Sequence, residues 1–383
     1  MSEPLRVGLV GAGGIASSHL PAYLEYTDQV RVTAVCDIIE DAAQAYAARV
    51  NTDAVYTDLD TMLRDADIEA VDLCHRHDLH APHAIAAAQA GKHVIVEKPM
   101  ANSVQDCRGM VAAADKAGVT LMVAQHLRYM RTAAAAKRLI EDGKLGRIEA
   151  VRTHMISGGY GRMDRRGHWM RDPKYAGGGV MMTTQVHHFD LLRYYVGDVK
   201  RVYGICKTLG PDKQPGAEDL VAATLEFENG AVGHTFAKSS LSREGRSYCL
   251  MGSEGTLYAE LAVESDETPT PHFGRLMVSL KTPEKEREYL SNVAEMRRFM
   301  RRDAKRRNEF IERLQPDFEP LSTEGTGLAT ANGFVNEILH FVDCCRTGSE
   351  PISSGRDNVN TIEVIMGIYE SSRTGMPVNL DTL

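Results

Sequence analysis

A glycine-rich run near the start of the sequence has the residue types and spacing that bind a dinucleotide. Gly11-Ala12-Gly13-Gly14-Ile15-Ala16 follows the strand-like run Val7 to Val10 and opens a helical pattern, and Asp37 ends the next strand-like run. The glycines allow a tight turn close to a pyrophosphate, and a helix N-terminus attracts that anion. Asp37 would accept hydrogen bonds from ribose hydroxyls and repel a 2′-phosphate. The pattern predicts that this run and Asp37 bind NAD rather than NADP.

Two loops are rich in basic side chains. Cys74-His75-Arg76-His77 follows a strand-like run, at the end of a parallel strand where ligands bind. From Arg162 to Lys174 the chain has five Lys or Arg residues against two acids. Arginine binds planar or tetrahedral anions through paired, charge-assisted hydrogen bonds, so the loops predict a pocket for a carboxylate, sulfonate or phosphate. Each loop has another explanation. The loop at 74–77 is a solvated loop that happens to be basic, or the arginines of the second loop reach acids of a neighbouring subunit.

Strand-like and helix-like patterns alternate up to about residue 125, as in repeated βαβ units. After residue 150 one helix is followed by several strands in succession, which is typical of an α+β domain. The sequence therefore predicts an α/β protein with two domains. Residues 1–126 form a Rossmann domain with a doubly wound parallel sheet, and residues 127–383 form an α+β domain with an open antiparallel sheet.

The composition excludes several classes of protein. The 383 residues carry 44 Lys and Arg against 52 Asp and Glu, a net charge of -8, which argues against nucleic acid or a membrane surface as a partner. A basic stretch at 284–314 has apolar positions at helical spacing, so we interpret it as an amphipathic helix packed on the sheet or on another subunit. The seven cysteines have no CxxC spacing, which predicts neither a disulfide framework nor a metal site and fits the cytoplasm.

Several motifs in order make the chain resemble the glucose–fructose oxidoreductase and inositol dehydrogenase (Gfo/Idh/MocA) family. They are the glycine run, His80, Glu97-Lys98-Pro99, Arg128, Gly177-Gly178-Gly179 leading to His187, Gly252-Ser253-Glu254-Gly255-Thr256 and Tyr369-Glu370-Ser371-Ser372. The resemblance covers nearly the whole chain. It implies a nicotinamide cofactor, a sugar or cyclitol substrate, and a homo-oligomer, a dimer or tetramer, joined through the second sheet.

The resemblance implies two catalytic residues. Lys98 is the lysine that meets the reacting hydroxyl, Glu97 and Pro99 set its position, and the bond before Pro99 is often cis. An ammonium beside a positively charged nicotinamide is disfavoured, so Lys98 is able to share or receive the hydroxyl proton. His187 occupies the position of the catalytic histidine, but Thr183 replaces the usual Asp four residues earlier. Asp190 either supports the histidine from behind or lies on the helix surface. Which group is the base is left open.

The remaining site residues follow from the same resemblance and from the two basic loops. His75, His80, Glu97 and Lys98 are expected to contact the cofactor. The expected substrate contacts are Arg76, His77, Arg128, Tyr129, Tyr160, Arg162, Arg166, His168, Trp169, Arg171, Thr183 and His188. Trp169, the single tryptophan, offers an apolar face to a sugar ring.

These residues support three hypotheses about function. The first is an NAD-dependent oxidoreductase that takes hydride from a secondary ring hydroxyl, at C3, of a sugar with an anionic group. The second is a redox-neutral glycosidase, similar to the NAD-dependent sulfoquinovosidases, in which a transient ketone promotes elimination before water addition and re-reduction. That route needs another acid or base, for which Tyr129, Tyr160, His126 and His188 are candidates. The third is an NAD-binding regulator without catalysis.

Overall fold

The first part of the chain forms a parallel sheet covered by helices on both faces. The structure is a computed structural model that describes residues 3–157, 167–210, 213–239, 245–262, 272–285, 287 and 319–382. The strand order of the first sheet is β3-β2-β1-β4-β5-β6, and all its neighbouring strands are parallel. The strands are β1 Leu5–Val10, β2 Val30–Cys36, β3 Val55–Tyr56, β4 Ala70–Leu73, β5 His93–Glu97 and β6 Leu121–Ala124. The predicted doubly wound sheet is confirmed.

Five helices connect these strands. They are α1 Ala16–Glu25, α2 Glu40–Val50, α3 Leu59–Asp65, α4 His80–Gln89 and α5 Val104–Ala117. Their starts and ends follow from local chemistry: at α5, for example, the Ser103 side chain accepts a hydrogen bond from the Asp106 N–H, and Gly118 ends the helix at φ 67°. The sequence patterns missed β3 and α3, because a strand of two residues has no alternation to recognise.

A larger mixed sheet dominates the second part. Its strand order is β14-β13-β12-β11-β7-β10-β9-β8-β15. The strands are β7 Ile148–Ser157, β8 Val199–Lys207, β9 Leu220–Phe227, β10 Val232–Ser239, β11 Gly245–Gly252, β12 Gly255–Ala262, β13 His272–Leu280, β14 Glu319–Pro320 and β15 Val378–Asn379. The neighbouring strands of this sheet run antiparallel, as predicted, except for β7 and β10, which run parallel in the middle of the sheet. The long connection between them gives the chain room to return to the same end.

The helices of the second part position the candidate site. They are α6 Arg131–Glu141, α7 Pro173–Ala176, α8 Val186–Val196, α9 Gly333–Thr347 and α10 Gly355–Thr374. A π-helical turn, Met181–Gln185, leads directly into α8. Such turns are rare and often occur at functional sites. The helix predicted over 284–314 lies almost entirely outside the described residues.

The last two long helices return to the first sheet. Val335, Ile338 and Phe341 of α9 are buried in the same hydrophobic cluster as residues of α1 and β1. The backbone N–H of Val123 on β6 donates to the carbonyl of Ser353, just before α10. The predicted boundary between residues 126 and 127 therefore stays a prediction, because C-terminal residues complete the core of the first domain. Among the helices that the structure describes, none has the length and apolar character needed to cross a bilayer.

Candidate active site

The glycine-rich loop is shaped for close approach by a ligand. Gly11 has φ 93°, and a Cβ there would lie 2.7 Å from the carbonyl oxygen of Cys74, so a side chain is excluded on both counts. A Cβ at Gly13 or Gly14 would meet no atom within 4 Å. These two glycines therefore border open space, which lets a pyrophosphate approach the backbone.

The start of α1 and the end of β2 complete this part of the site. No side chain caps the N-terminus of α1, and its first turn has no acid, so the helix end is available to an anion. The Asp37 carboxylate accepts hydrogen bonds from the N–H of Ala12 at 2.8 Å and of Ile39 at 2.9 Å. It thus ties the glycine loop to β2 and places a negative charge where a ribose would lie. These residues fit NAD.

Two residues predicted to contact the cofactor are fully buried. Ala16 is the first residue of α1, and its carbonyl accepts the hydroxyl hydrogen of Tyr46. The His80 ring lies between the carbonyl oxygens of Pro99, 2.7 Å from Nδ1, and His75, 3.2 Å from Nε2. Their contacts with the cofactor stay predictions. His80 supports the loop that carries Lys98, because its ring holds two backbone segments together.

Lys98 leaves the end of β5 and reaches across to the second domain. Its Nζ donates a hydrogen bond to the carbonyl oxygen of Thr183 at 2.9 Å, and its backbone N–H donates to Glu97 Oε2 at 3.0 Å. The Thr183 hydroxyl donates to the carbonyl of Gly179 at 2.9 Å. The Lys98–Pro99 bond is cis, as the family resemblance predicts. Glu97 is buried and acts on the site through the Lys98 backbone.

A buried charged cluster lies behind Glu97. His19 Nε2 is 3.2 Å from Glu97 Oε1, and His19 Nδ1 is 2.8 Å from Asp72 Oδ2. Tyr23 donates its hydroxyl hydrogen to the same Asp72 oxygen at 2.7 Å, and the Cys74 thiol donates to Asp72 Oδ1 at 3.3 Å. The donor atoms of His19, Asp72 and Cys74 lie within 4.8 Å of one another, as in a metal site, but all three already serve these hydrogen bonds.

The protonation of this cluster follows from burial and neighbouring charge. Burial opposes the imidazolium, but the Asp72 carboxylate outweighs it and raises the pKa of His19 well above 6.5. Burial also opposes ionisation of Glu97, yet the hydrogen bond from His19 lowers the pKa of that carboxyl. His19 is therefore a cation between two carboxylates. Sequence reasoning missed the cluster, although Asp72 in the apolar strand β4 was a signal that a buried partner exists.

His187 stands at the first turn of α8 and is supported by amides. Its Nδ1 is 2.9 Å from Gln125 Oε1, and Gln125 Nε2 donates to Asn358 Oδ1 at 3.1 Å. Asn358 Nδ2 donates to the carbonyl of Ser354 at 3.1 Å. Sequence reasoning also missed Gln125, which directly follows β6 at the carboxyl edge of the parallel sheet, where ligand-binding residues gather.

Asp190 does not support His187. Both of its oxygens accept hydrogen bonds from Arg128, at 2.7 Å and 2.6 Å. Arg128 also donates to Asp357 at 2.6 Å and to the carbonyl of Ile352, and it is only 3% exposed. Burial opposes the charge of the guanidinium, but the two carboxylates raise its pKa further. Arg128 therefore joins three parts of the second domain in a buried ion pair, and its contact with substrate stays a prediction.

Three other predicted substrate contacts are buried. Tyr129 is hydrogen-bonded to Ser353 at 2.9 Å behind β6. The His188 ring stacks on Tyr248 with 4.9 Å between ring centroids, on the face of α8 that packs on the large sheet. His77 donates from Nδ1 to the carbonyl of Ala176 at 2.9 Å. Tyr129 and His188 are thus packed in the core, and their contacts with substrate stay predictions.

His77 contributes to the site indirectly. Its ring meets the indole of Trp169 edge-on, with centroids 4.7 Å apart, so it supports the tryptophan rather than facing solvent. His75 is half-buried, and its Nε2 is 2.9 Å from Nδ1 of His83. The predicted contact between His75 and the cofactor stays a prediction. Tyr160, Arg162 and Arg166 lie outside the described residues.

A cleft of about 410 Å³ opens beside Trp169. It is lined by Arg76, Gly167, His168, Trp169, Arg171, Asp172, Tyr175 and Gln214. Arg76 lies over the ring of Tyr175 at 4.2 Å and makes two hydrogen bonds to Asp78, which partly neutralises its charge. Arg171 and Thr183 also line an adjoining smaller cleft, so the basic loop is connected to the segment that meets Lys98. The structure brings Arg76 of the first basic loop together with His168 and Arg171 of the second.

Comparison with known proteins gives a consistent result over the whole chain. Residues 5–125 match the family model for an oxidoreductase family with an NAD-binding Rossmann fold, and residues 137–380 match the model for the C-terminal alpha/beta domain of that family. The chain is 32% identical to 1,5-anhydro-D-fructose reductase of Ensifer adhaerens over 254 residues, covering 66% of this chain and 74% of the reductase. It is 27% identical to D-apiose dehydrogenase of Paraburkholderia graminis over 375 residues, which cover 98% of this chain and 89% of that dehydrogenase.

A solved structure agrees over nearly the full length. The WlbA dehydrogenase of Bordetella pertussis, in complex with NADH and UDP-GlcNAcA, superposes with a TM-score of 0.76 at 26% identity. The match covers 99% of this chain and 98% of that protein.

Proposed function

Since the chain belongs to the Gfo/Idh/MocA family of oxidoreductases with an NAD-binding Rossmann fold, we propose that it is a dehydrogenase that takes hydride from a secondary ring hydroxyl of an anionic sugar or glycoside. One observation carries this proposal. Lys98 of the first domain donates to the carbonyl of Thr183, in the segment that leads into His187 of the second domain. This contact brings the Lys98 amine to the segment that carries His187, and we propose that both groups face the substrate hydroxyl.

Each group has a distinct part in the proposed reaction. Lys98 donates a hydrogen bond to the substrate oxygen and stabilises the negative charge that develops on it. His187 accepts the hydroxyl proton. The C–H bond breaks with both electrons, for which NAD⁺ supplies the acceptor, and a carbonyl forms at the same carbon. We place that carbon at C3. With a glycoside as substrate, whose anomeric carbon is blocked, borodeuteride reduction of the product should put the label at C3, and label at another carbon would refute the position.

The basic cleft supports an anionic substrate. Arg76 and Arg171 line it together with Trp169, whose indole offers an apolar surface to a sugar ring. A guanidinium binds carboxylate, sulfonate or phosphate through two parallel hydrogen bonds. The chain's similarity to a dehydrogenase solved with a sugar nucleotide, UDP-GlcNAcA, agrees with this choice.

Arg171→Gln tests the anionic group. A hydrogen bond between charged groups contributes about 1.5–3 kcal/mol, so the substitution should raise KM for an acidic sugar by about tenfold to a hundredfold. KM for the matching neutral sugar should stay within about twofold, because that sugar has no anion to lose. Arg147→Gln, at an exposed arginine that pairs with Glu149, is the control. An equal rise in KM for both sugars would contradict the anionic substrate.

The redox-neutral glycosidase is the second candidate. It needs a further acid–base group, and of the four side chains considered Tyr129 and His188 are core residues. His126 keeps the route open, because its ring lies edge-on to that of His187 at 4.7 Å. Incubation with NAD⁺ and a chromogenic glycoside separates the two candidates. Release of the chromophore without net NADH would support the glycosidase, and stoichiometric NADH without release would refute it.

We also propose a homo-oligomer joined through the large sheet. Tyr203 and Ile205 on β8, Val232 on β10 and Met251 on β11 are large apolar side chains exposed on strands of that sheet. Apolar surface of this kind often marks an interface. Light scattering after size exclusion should give a dimer or tetramer, and replacing Tyr203 and Ile205 by Lys should reduce its mass.

A further inference from the structure

His187 is held by a chain of neutral amides that crosses the domain boundary. This amide ladder consists of Gln125, Asn358 and the carbonyl group of Ser354, joined by the hydrogen bonds described above. Gln125 and Asn358 are each only 1% exposed. A buried hydrogen bond of this kind is costly to lose, because water cannot replace the missing partner.

The direction of every bond in the ladder follows from its last member. A backbone carbonyl only accepts hydrogen bonds, so the atom of Asn358 that meets Ser354 must be Nδ2. Asn358 Oδ1 then faces Gln125 and requires Nε2 of that amide as its donor. Gln125 consequently presents Oε1 to His187, and only a protonated Nδ1 can donate to it.

We propose that Gln125 is a positioning residue that selects the tautomer of His187 with its proton on Nδ1. In that tautomer Nε2 is the nitrogen that accepts the proton when the substrate O–H bond breaks and hydride leaves the carbon for NAD⁺. A neutral acceptor takes the place of the carboxylate that Thr183 does not provide. It orients the ring without adding a negative charge that would favour the protonated imidazole. The kinetic part of this inference rests on the proposed function.

Nuclear magnetic resonance tests the tautomer without any substrate. In protein labelled with ¹⁵N at histidine, the shifts and couplings of the two ring nitrogens show which one carries the proton, and His187→Gln identifies the signals. The wild type should have its proton on Nδ1. Gln125→Leu removes the acceptor and should move the ring toward the Nε2–H form. A wild-type ring with its proton on Nε2 would overturn the inference, whether or not the enzyme oxidises sugars.

Kinetics separate positioning from a merely structural role. Gln125→Leu should lower kcat/KM by about tenfold to a hundredfold, the usual loss when a base is wrongly presented, and should have no further effect in a His187→Gln background. Gln125→Glu restores an acceptor and adds a charge, so kcat should recover at high pH while the acidic limb of the pH profile moves up by about one unit or more.

A matched control uses a second buried glutamine. Gln185 stands two residues before His187, and its amide has no hydrogen-bond partner among the described residues. Gln185→Leu makes the same chemical change outside the ladder, so the Nδ1–H form of His187 should persist. Additive losses of Gln125→Leu and His187→Gln would mean that Gln125 does not act through His187. Absence of sugar oxidation by the wild type would refute the proposed function and leave the spectroscopic test decisive for the tautomer.

Discussion

The buried groups behind Lys98 differ in kind from those behind His187. Behind Lys98, the His19 imidazolium lies between the carboxylates of Glu97 and Asp72. Behind His187, the support is the neutral amide ladder. Lys98 is thus supported by buried charges, and His187 is supported by dipoles that carry no net charge.

The difference follows from what each residue must do. Lys98 has to be held in place, and Glu97 does so through the backbone N–H, while His19 keeps that carboxylate ionised. In the proposed reaction His187 takes up a proton and releases it, so a fixed charge beside it would bias that exchange. Charges in this second domain lie one turn further along α8, where Arg128 and Asp190 pair in the core.

Of the substitutions that test this difference, removal of Lys98 should have the largest effect on activity. Lys98→Ala should lower kcat more than about a hundredfold, as for other essential acid–base groups. Steady-state kinetics measure this loss. Lys116→Ala, at an exposed lysine of α5, is the control. Turnover within about threefold of wild type would show that Lys98 is not an essential acid–base group.

Neutralising the charged support should cost stability in a way that depends on pH. His19→Gln leaves Asp72 and Glu97 without their cation, which costs about 3 kcal/mol when one partner of a buried pair is removed. Because folding raises the pKa of His19, this contribution is fully present below pH 6.5 and fades as the pH rises through the raised value. Urea unfolding at several pH values measures the difference. A loss that stays constant up to strongly alkaline pH would show that His19 is not the cation.

A smaller effect on stability is expected at Glu337, at the edge of the charged cluster. Neither carboxyl oxygen of Glu337 has a hydrogen-bond partner among the described residues, and burial raises the pKa of this group well above 4.5. Above pH 4.5 the unfolded chain releases this proton while the folded protein keeps it. The free energy of unfolding therefore falls by about 1.4 kcal/mol per pH unit until the pH reaches the raised pKa. Glu337→Gln should remove this slope, and its advantage in urea unfolding should grow with pH.

The exposed Glu228 serves as the control for that experiment. Glu228→Gln makes the same chemical change at an exposed position, and it should leave the dependence of stability on pH as it is in the wild type. An advantage of Glu337→Gln that does not grow with pH would show that Glu337 is ionised in the folded protein.

Local patterns predicted the parts of the site that depend on neighbours in the chain. The glycine loop, Asp37 and Lys98 each stand at the end of a parallel strand, and strands of this kind are recognisable from short apolar runs. The same reasoning predicted substrate contacts for Arg128, Tyr129 and His188 but not their burial, because it identifies residue types near a motif but not the side of the element on which they lie.

The sequence by itself determined the family, the cofactor loop and the position of Lys98 at the end of β5, since these follow from residues close together in the chain. Only the tertiary structure decided what stands behind the catalytic residues. Gln125 is 62 residues from His187 and 233 from Asn358, and His19 is 53 from Asp72. Contacts of this kind arise when separate elements pack into one core. The physical reason is that a buried polar group must find a partner wherever the fold places one.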